Sequence, residues 1–166
     1  MTFLVSPLLA QQGDRKGHNM TSFVPEEVIP PAPFLKVEEA LKSFVLAPGF
    51  IIEPVVAEPF VDMPCMMKFD SEGRMWICEL VGYMPDIDGT GEEIPQGRIV
   101  VLSDTDDDGM VDKRVVFMDK LLLPRSLYLL DDGILWANQE SLFFQKRSGV
   151  TAVGKSVLVD LSLIHI

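Results

Sequence analysis

Arg98-Ile-Val-Val-Leu-Ser-Asp-Thr-Asp-Asp-Asp-Gly-Met-Val-Asp-Lys-Arg-Val-Val-Phe-Met118 sets two β-branched apolar runs on either side of a loop crowded with carboxylates. Within the loop Asp104, Asp106 and Asp108 alternate, Gly109 follows, and Asp112 completes the set. Carboxylates at alternate positions before a glycine suit a hard cation such as Ca²⁺. The alternation turns oxygens to one side, and glycine permits the sharp turn. On spacing alone this is the first half of an EF-hand loop, but two features argue against one. The twelfth position is Val115 instead of a bidentate Glu, and the flanks read as strands where an EF-hand needs helices. The stretch therefore reads as the tip of a β-hairpin holding a structural cation, with a solvated acidic turn as the plain alternative. Four carboxylates this close repel one another unless a cation neutralises them.

The chain around this hairpin has 166 residues, 48% hydrophobic and 23% charged, which points to one globular domain. Its net charge of −11, from 25 acidic and 14 basic residues, argues against nucleic acid or an anionic membrane surface as partner. No apolar run is long enough to span a membrane. Thr2-Phe-Leu-Val-Ser-Pro-Leu-Leu-Ala10 resembles the end of a signal-peptide apolar region, and would place the mature protein outside the cytoplasm, periplasmic or at the cell surface. Only two histidines occur, His18 and His165, so a histidine-based triad or zinc site has no support.

Taken in order, residues 1–34 are a signal-like segment and a proline-rich extended leader. Val37, Ala40, Leu41, Phe44 and Val45 then recur with helical spacing up to Pro48-Gly49, and predict a short amphipathic helix whose stripe packs. Residues 50–57 are apolar and extended with Pro54 inside, which predicts an edge strand.

From Met63 onward the chain reads as β and echoes itself. Phe69-Asp-Ser-Glu-Gly-Arg-Met-Trp-Ile-Cys-Glu79 matches Leu130-Asp-Asp-Gly-Ile-Leu-Trp-Ala-Asn-Gln139, with Trp76 and Trp136 each third after a glycine. Residues 97–103 and 113–118 complete the first unit, and residues 141–146 and 155–160 the second. Each unit is four short antiparallel strands, the form of a β-propeller blade. Two blades cannot close a ring, so residues 35–160 read as the N-terminal part of a propeller domain. Residues 161–166 read as a tail that is not native to it. An uncovered last blade also predicts poor solubility for the chain alone.

Leu46-Ala-Pro-Gly-Phe50, Ala57-Glu-Pro59, Phe69-Asp-x-x-Gly-Arg-Met-Trp76, Glu79-Leu-Val-Gly-Tyr83 and the 104–112 loop together resemble the membrane-bound dehydrogenase propeller family, related to soluble quinoprotein glucose/sorbosone dehydrogenases. The resemblance implies a six-bladed exported propeller, of which this chain is the first two blades. It further implies an oxidoreductase using pyrroloquinoline quinone (PQQ), a sugar or alcohol substrate and an electron acceptor. The histidine base of such enzymes has no counterpart in these blades, so the catalytic residues fall outside the chain and the fragment itself is inactive. The alternative is a non-catalytic propeller binding carbohydrate or protein at the cell surface.

Blade topology sorts the remaining residues. The Gly73 turn and the acidic loop fall on one face. The insert at 81–95 and the connection at 119–125 fall on the other, where propeller ligands sit. Glu79, Tyr83, Asp86, Asp88 and Arg125 belong there, with Arg125 and Glu79 as cofactor-binding candidates. A salt bridge for Arg125 and a loop contact for Glu79 are the plain alternatives. Metal ligation falls to Asp104, Asp106, Asp108 and Asp112. With Ser71-Glu72 at a hairpin tip, Cys65 faces Cys78 and the pair can oxidise; a turn longer by one residue leaves two free thiols.

Overall fold

The computed structural model describes residues 33–86 and 88–159, together with Val28. The signal-like start, His18, most of the leader, Asp160 and the tail with His165 lie outside the described residues. Nine strands and one short helix are present among those described, so the chain is all-β in class. The strands form where β-branched and aromatic residues cluster between Gly, Asp and Pro turns.

Two antiparallel meanders make up the fold. The first runs β1 (Pro64–Phe69), β2 (Met75–Glu79), β3 (Gly97–Ser103) and β4 (Lys113–Leu121), paired in chain order. The second runs β5 (Ser126–Leu129), β6 (Gly133–Ala137) and β7 (Leu142–Ser148). Its fourth place is shared by β8 (Thr151–Ala152) and β9 (Val157–Leu158), which pair opposite ends of β7. The connection between the strands expected at 141–146 and 155–160 is thus shorter, and the last strand is interrupted where Gly154 takes a φ of 71°.

The sheets stack in one sense, β1 beside β5 and β4 beside β8. Trp76, Cys78, Ile99, Val101 and Phe117 of the first sheet meet Leu127, Ile134 and Trp136 of the second in one core. The other face of the first sheet carries Met75, Ile77, Val100 and Leu102, and is covered by Val56, Phe60 and Val61. β2 is consequently buried along its whole length, which explains its unbroken apolar run.

Four expectations change. Residues 50–57 form no strand: Pro54 offers no donor, and the segment lies as an extended strap whose Val55 carbonyl accepts one bond, from Val111 N at 2.9 Å. The helix α1 (Val37–Ser43) ends before Phe44 and buries no residue. Of its apolar stripe only Ala40 and Leu41 are half-buried, and Val45 is fully exposed. In the first hairpin Phe69 pairs Met75 and Met66 pairs Cys78, one residue longer than a tip at Ser71-Glu72 requires, with a bulge at Cys65.

The fourth change concerns the echo. The second hairpin closes Leu129 on Ile134, one residue tighter than the first. Equivalent places are therefore Ile77 and Trp136, not Trp76 and Trp136. The two tryptophans leave opposite faces of their own units, and for that reason both enter the same interface.

Both cysteines are free thiols. Cys65 Sγ donates toward the Pro124 carbonyl at 3.3 Å and the Cys78 carbonyl at 3.5 Å. Burial pushes the Cys78 thiol up to about 12. A thiol-reactive dye is expected to label Cys65 alone in the native chain and both cysteines in denaturant. A native chain with no reactive thiol that gains two after reduction would mean a disulfide.

Candidate metal centre

The loop between β3 and β4 is built by its own carboxylates. Asp112 N donates to the Ser103 carbonyl at 3.1 Å, closing the hairpin just beyond the Ser103–Lys113 pair. Asp107 at φ 59° and Gly109 at φ 91° turn the chain through left-handed conformations, which Gly and Asp adopt most readily. Asp104 Oδ2 accepts from Gly109 N at 2.8 Å, and Asp108 Oδ1 from Met110 N at 2.8 Å. Strands flank the loop on both sides, so no EF-hand helix pair is present.

Asp104, Asp106 and Asp108 each bring a carboxylate oxygen to within 4.8 Å of the others. Oxygens bound to one Ca²⁺ at about 2.3–2.6 Å lie at most about 5 Å apart, so this spacing lets all three share an ion. Asp104 Oδ1 is buried without a hydrogen-bond partner, and so has a lone pair to give. The donor set and that orphaned oxygen fit a hard divalent cation. Asp112 does not join them, because its carboxylate accepts from both the Thr105 amide and the Thr105 hydroxyl.

The charges show what the crowding costs. The Gly109 hydrogen bond holds the Asp104 carboxyl below its ordinary value of 3.8. Repulsion from Asp108 raises that of Asp106 above 3.8. A raised carboxyl favours the folded state when protonated. Cation-free protein is therefore expected to lose stability as pH climbs from 3.8 through the raised value, a slope that Asp106→Asn removes in urea melts across that window. Beside the loop, Glu53, Pro54 and Val55 of the strap face Asp108, Gly109 and Met110 across a cleft of about 270 Å³. Nothing in local sequence announces that Glu53 lies there, since only the strap's course over the sheet brings it.

At the first hairpin, Asp70 accepts from the Glu72 and Arg74 amides, from Arg74 Nε at 2.8 Å and from Trp76 Nε1 at 2.8 Å. Burial alone would raise its carboxyl, but the bonds from Trp76 and Arg74 outweigh it and hold the group below 3.8. The stability it supplies is present above 3.8 and lost as pH falls through the lowered value. Asp70→Asn is expected to cost about 2 kcal/mol at neutral pH and to flatten the acid limb of a pH-melting curve.

The opposite loop face is less convergent. Glu79 is fully buried. Its Oε2 lies 2.8 Å from Arg98 Nε and 3.0 Å from Arg114 Nη2, as ion pairs, and its Oε1 accepts from Asp62 N at 3.1 Å. Arg98 continues to Asp62 at 3.1 Å. Arg125 takes no part in this network. Its guanidinium lies over the Tyr83 ring at 5.0 Å, and it makes no salt bridge among the described residues. Asp86 Oδ1 accepts from the Asp88 and Thr90 amides, which makes it a turn-forming residue with Asp88 as a follower. The two cofactor candidates, Glu79 and Arg125, are therefore not brought to a common ligand position. The partners of Glu79 were missed because Arg98 and Arg114 stand at the starts of β3 and β4, where a charge beside turn residues reads as solvated.

Two stacked antiparallel meanders, strapped on one face and carrying an acidic hairpin on the first, define an all-β protein with a candidate hard-cation site. The chain belongs to the family described as Domain of unknown function (DUF7133), which matches residues 36–149, from the start of α1 through β7. No curated protein matches the chain, and no solved structure does.

Proposed function

We propose that the two meanders are successive blades of a β-propeller, and that the chain begins an exported quinoprotein-like dehydrogenase acting on a sugar or alcohol, with Ca²⁺ held structurally at the acidic hairpin. The observation that carries this reading is the stacking of two meanders first strand on first strand and last on last. Blades succeed one another around a propeller axis in that way, and a ring takes about four to eight of them. Export rests on the apolar start that ends at Ala10.

Asp104, Asp106 and Asp108 would hold the cation, which supplies charge neutralisation when bound. Asp112 clamps Thr105 and so keeps the loop in shape for it. This is a scaffold role, since the hairpin lies at the far end of the strands from Arg125 and Tyr83. Toward a quinone the fit is partial. Arg125 has free donors for an anionic group, whereas every oxygen of Glu79 already has a partner. No step of an oxidation is assigned to either.

Melting with and without Ca²⁺ tests the cation. Ca²⁺ is expected to raise the melting temperature by several degrees at saturation, and Asp106→Asn with Asp108→Asn to abolish the rise. In EDTA the doubly substituted chain melts higher than the parent, because the Asp106–Asp108 repulsion is gone. A parent chain indifferent to Ca²⁺ would sink the site.

A non-catalytic propeller that binds carbohydrate or protein is the second reading, favoured by the commitment of Glu79 to ion pairs. Adding PQQ, Ca²⁺, sugars or alcohols and a dye acceptor to the longer gene product separates the two. Dye reduction that needs both quinone and substrate supports the enzyme. An inert protein that retains oligosaccharide supports the binder.

A further inference from the structure

We propose that Cys65, Met66 and Cys78 form a soft-metal site that takes one Cu(I) ion, at the seam between the two sheets and apart from the acidic hairpin. Met63-Pro-Cys-Met-Met67 puts four sulfur side chains into five positions. β1 bulges at this point. Pro64 pairs Glu79 and Met66 pairs Cys78, so Cys65 is the extra residue set against Cys78. Cys65 Sγ lies 3.5 Å from the Cys78 carbonyl and 3.3 Å from that of Pro124, which belongs to the connection into the second sheet. It therefore points to the inter-sheet side, where the Cys78 side chain also packs. Met66, the cross-strand partner of Cys78, lies half-buried against the same core. Two thiols and a thioether are thus gathered at one position of β2.

The donors decide which ion fits. Thiolate and thioether sulfur are soft ligands and select Cu(I). No His, Asp or Glu joins the two cysteines among the described residues, where Asp104, Asp106 and Asp108 are the one group of three such ligands. A closed four-ligand Zn²⁺ site is therefore lacking, and Ca²⁺ finds no carboxylate. Cys78 is fully buried and its Sγ makes no hydrogen bond among the described residues, so its lone pairs are uncommitted. Cys65 is exposed and lines a cleft of about 330 Å³ with Pro64, Met66 and Met67, which gives an ion its way in. Burial raises both thiols, while a backbone hydrogen bond and the Arg125 charge draw Cys65 the other way. Left alone the pair stays protonated. Cu(I) displaces the two protons to solvent, and the singly negative complex that results lies within the field of the Arg125 cation.

The test titrates the reduced 166-residue chain with Cu(I) under nitrogen, in competition with a coloured Cu(I) chelator. One ion per chain is expected, with a thiolate-to-copper band in the ultraviolet and loss of Cys65 labelling by a thiol-reactive dye. Cys65→Ser and Cys78→Ser are each expected to abolish the band and the competition. Met66→Leu should weaken binding several-fold, and Met110→Leu, in the acidic hairpin, should leave it unchanged. Where Cys78→Ser fails to fold, X-ray absorption at the copper edge of the parent chain decides, with sulfur neighbours alone expected. Nitrogen or oxygen neighbours overturn the proposal. So does a chain that holds no Cu(I) against the chelator, one that keeps it after Cys65→Ser, or one from which Zn²⁺ displaces it. Thiols that vanish with no copper retained and return on reduction mean a disulfide, and overturn it as well.

Discussion

Glu79→Ala is expected to cost about 3–5 kcal/mol of stability and lower the melting temperature by on the order of 10 °C. The carboxylate is fully buried and serves Arg98, Arg114 and the Asp62 amide at once. Its removal leaves the Arg114 guanidinium without a counter-charge and Arg98 with only the half-exposed Asp62, each arginine being less than one-third exposed. It also frees the Asp62 amide, which ties the strap to the sheet. Chemical denaturation of the purified chain measures the cost. Glu79→Gln should fall between parent and alanine, because it keeps a hydrogen-bond acceptor without the charge. Replacing Glu79, Arg98 and Arg114 together by methionine should recover much of the loss, since the desolvation of three charges goes with the pair. A Glu79→Ala chain as stable as the parent would mean the carboxylate is free for a ligand, and would restore it as a cofactor contact.

Trp76→Ala should cost a comparable amount, about 3–5 kcal/mol, by opening a cavity between the sheets. The indole is fully buried and meets Phe117 edge to face at 4.9 Å. It also donates to Asp70 and receives Arg147 of the second sheet over its ring at 5.5 Å. It thus couples one hairpin to the sheet stack. Trp76→Phe separates these contributions, because it keeps most of the packing and loses the Asp70 bond, and about 1–3 kcal/mol is the expected penalty. Combining Trp76→Ala with Asp70→Asn should cost less than the sum of the two, since the residues share a bond. Strict additivity in urea melts would show that Asp70 organises its turn independently of the core.

Most strands could be placed from residue order because their signals are local. The β-branched apolar runs at 97–103 and 113–118 lie between an acidic, Gly-containing loop and turn residues, a composition that marks a strand without any partner. The acidic hairpin was equally legible, as Asp and Gly at fixed spacing define a turn whatever surrounds it. Three of the four expected ligands converge as the alternation required. Asp112 departs because Thr105, seven positions away, reaches it first, and that depends on how the loop folds back.

Sequence alone determined the β class, the division into two successive antiparallel units and the tip that gathers Asp104, Asp106 and Asp108. These depend on side-chain alternation and on backbone preferences acting over a few residues. Tertiary structure alone decided the register at Cys65, the face taken by Trp136, the partners of Glu79 and the strap over Ile77 and Val100. One residue more or less in a hairpin reverses every face beyond it, and turn length is settled by which register buries the larger apolar area. The ion pairs of Glu79 follow from three strands meeting in space, a proximity that no local pattern encodes.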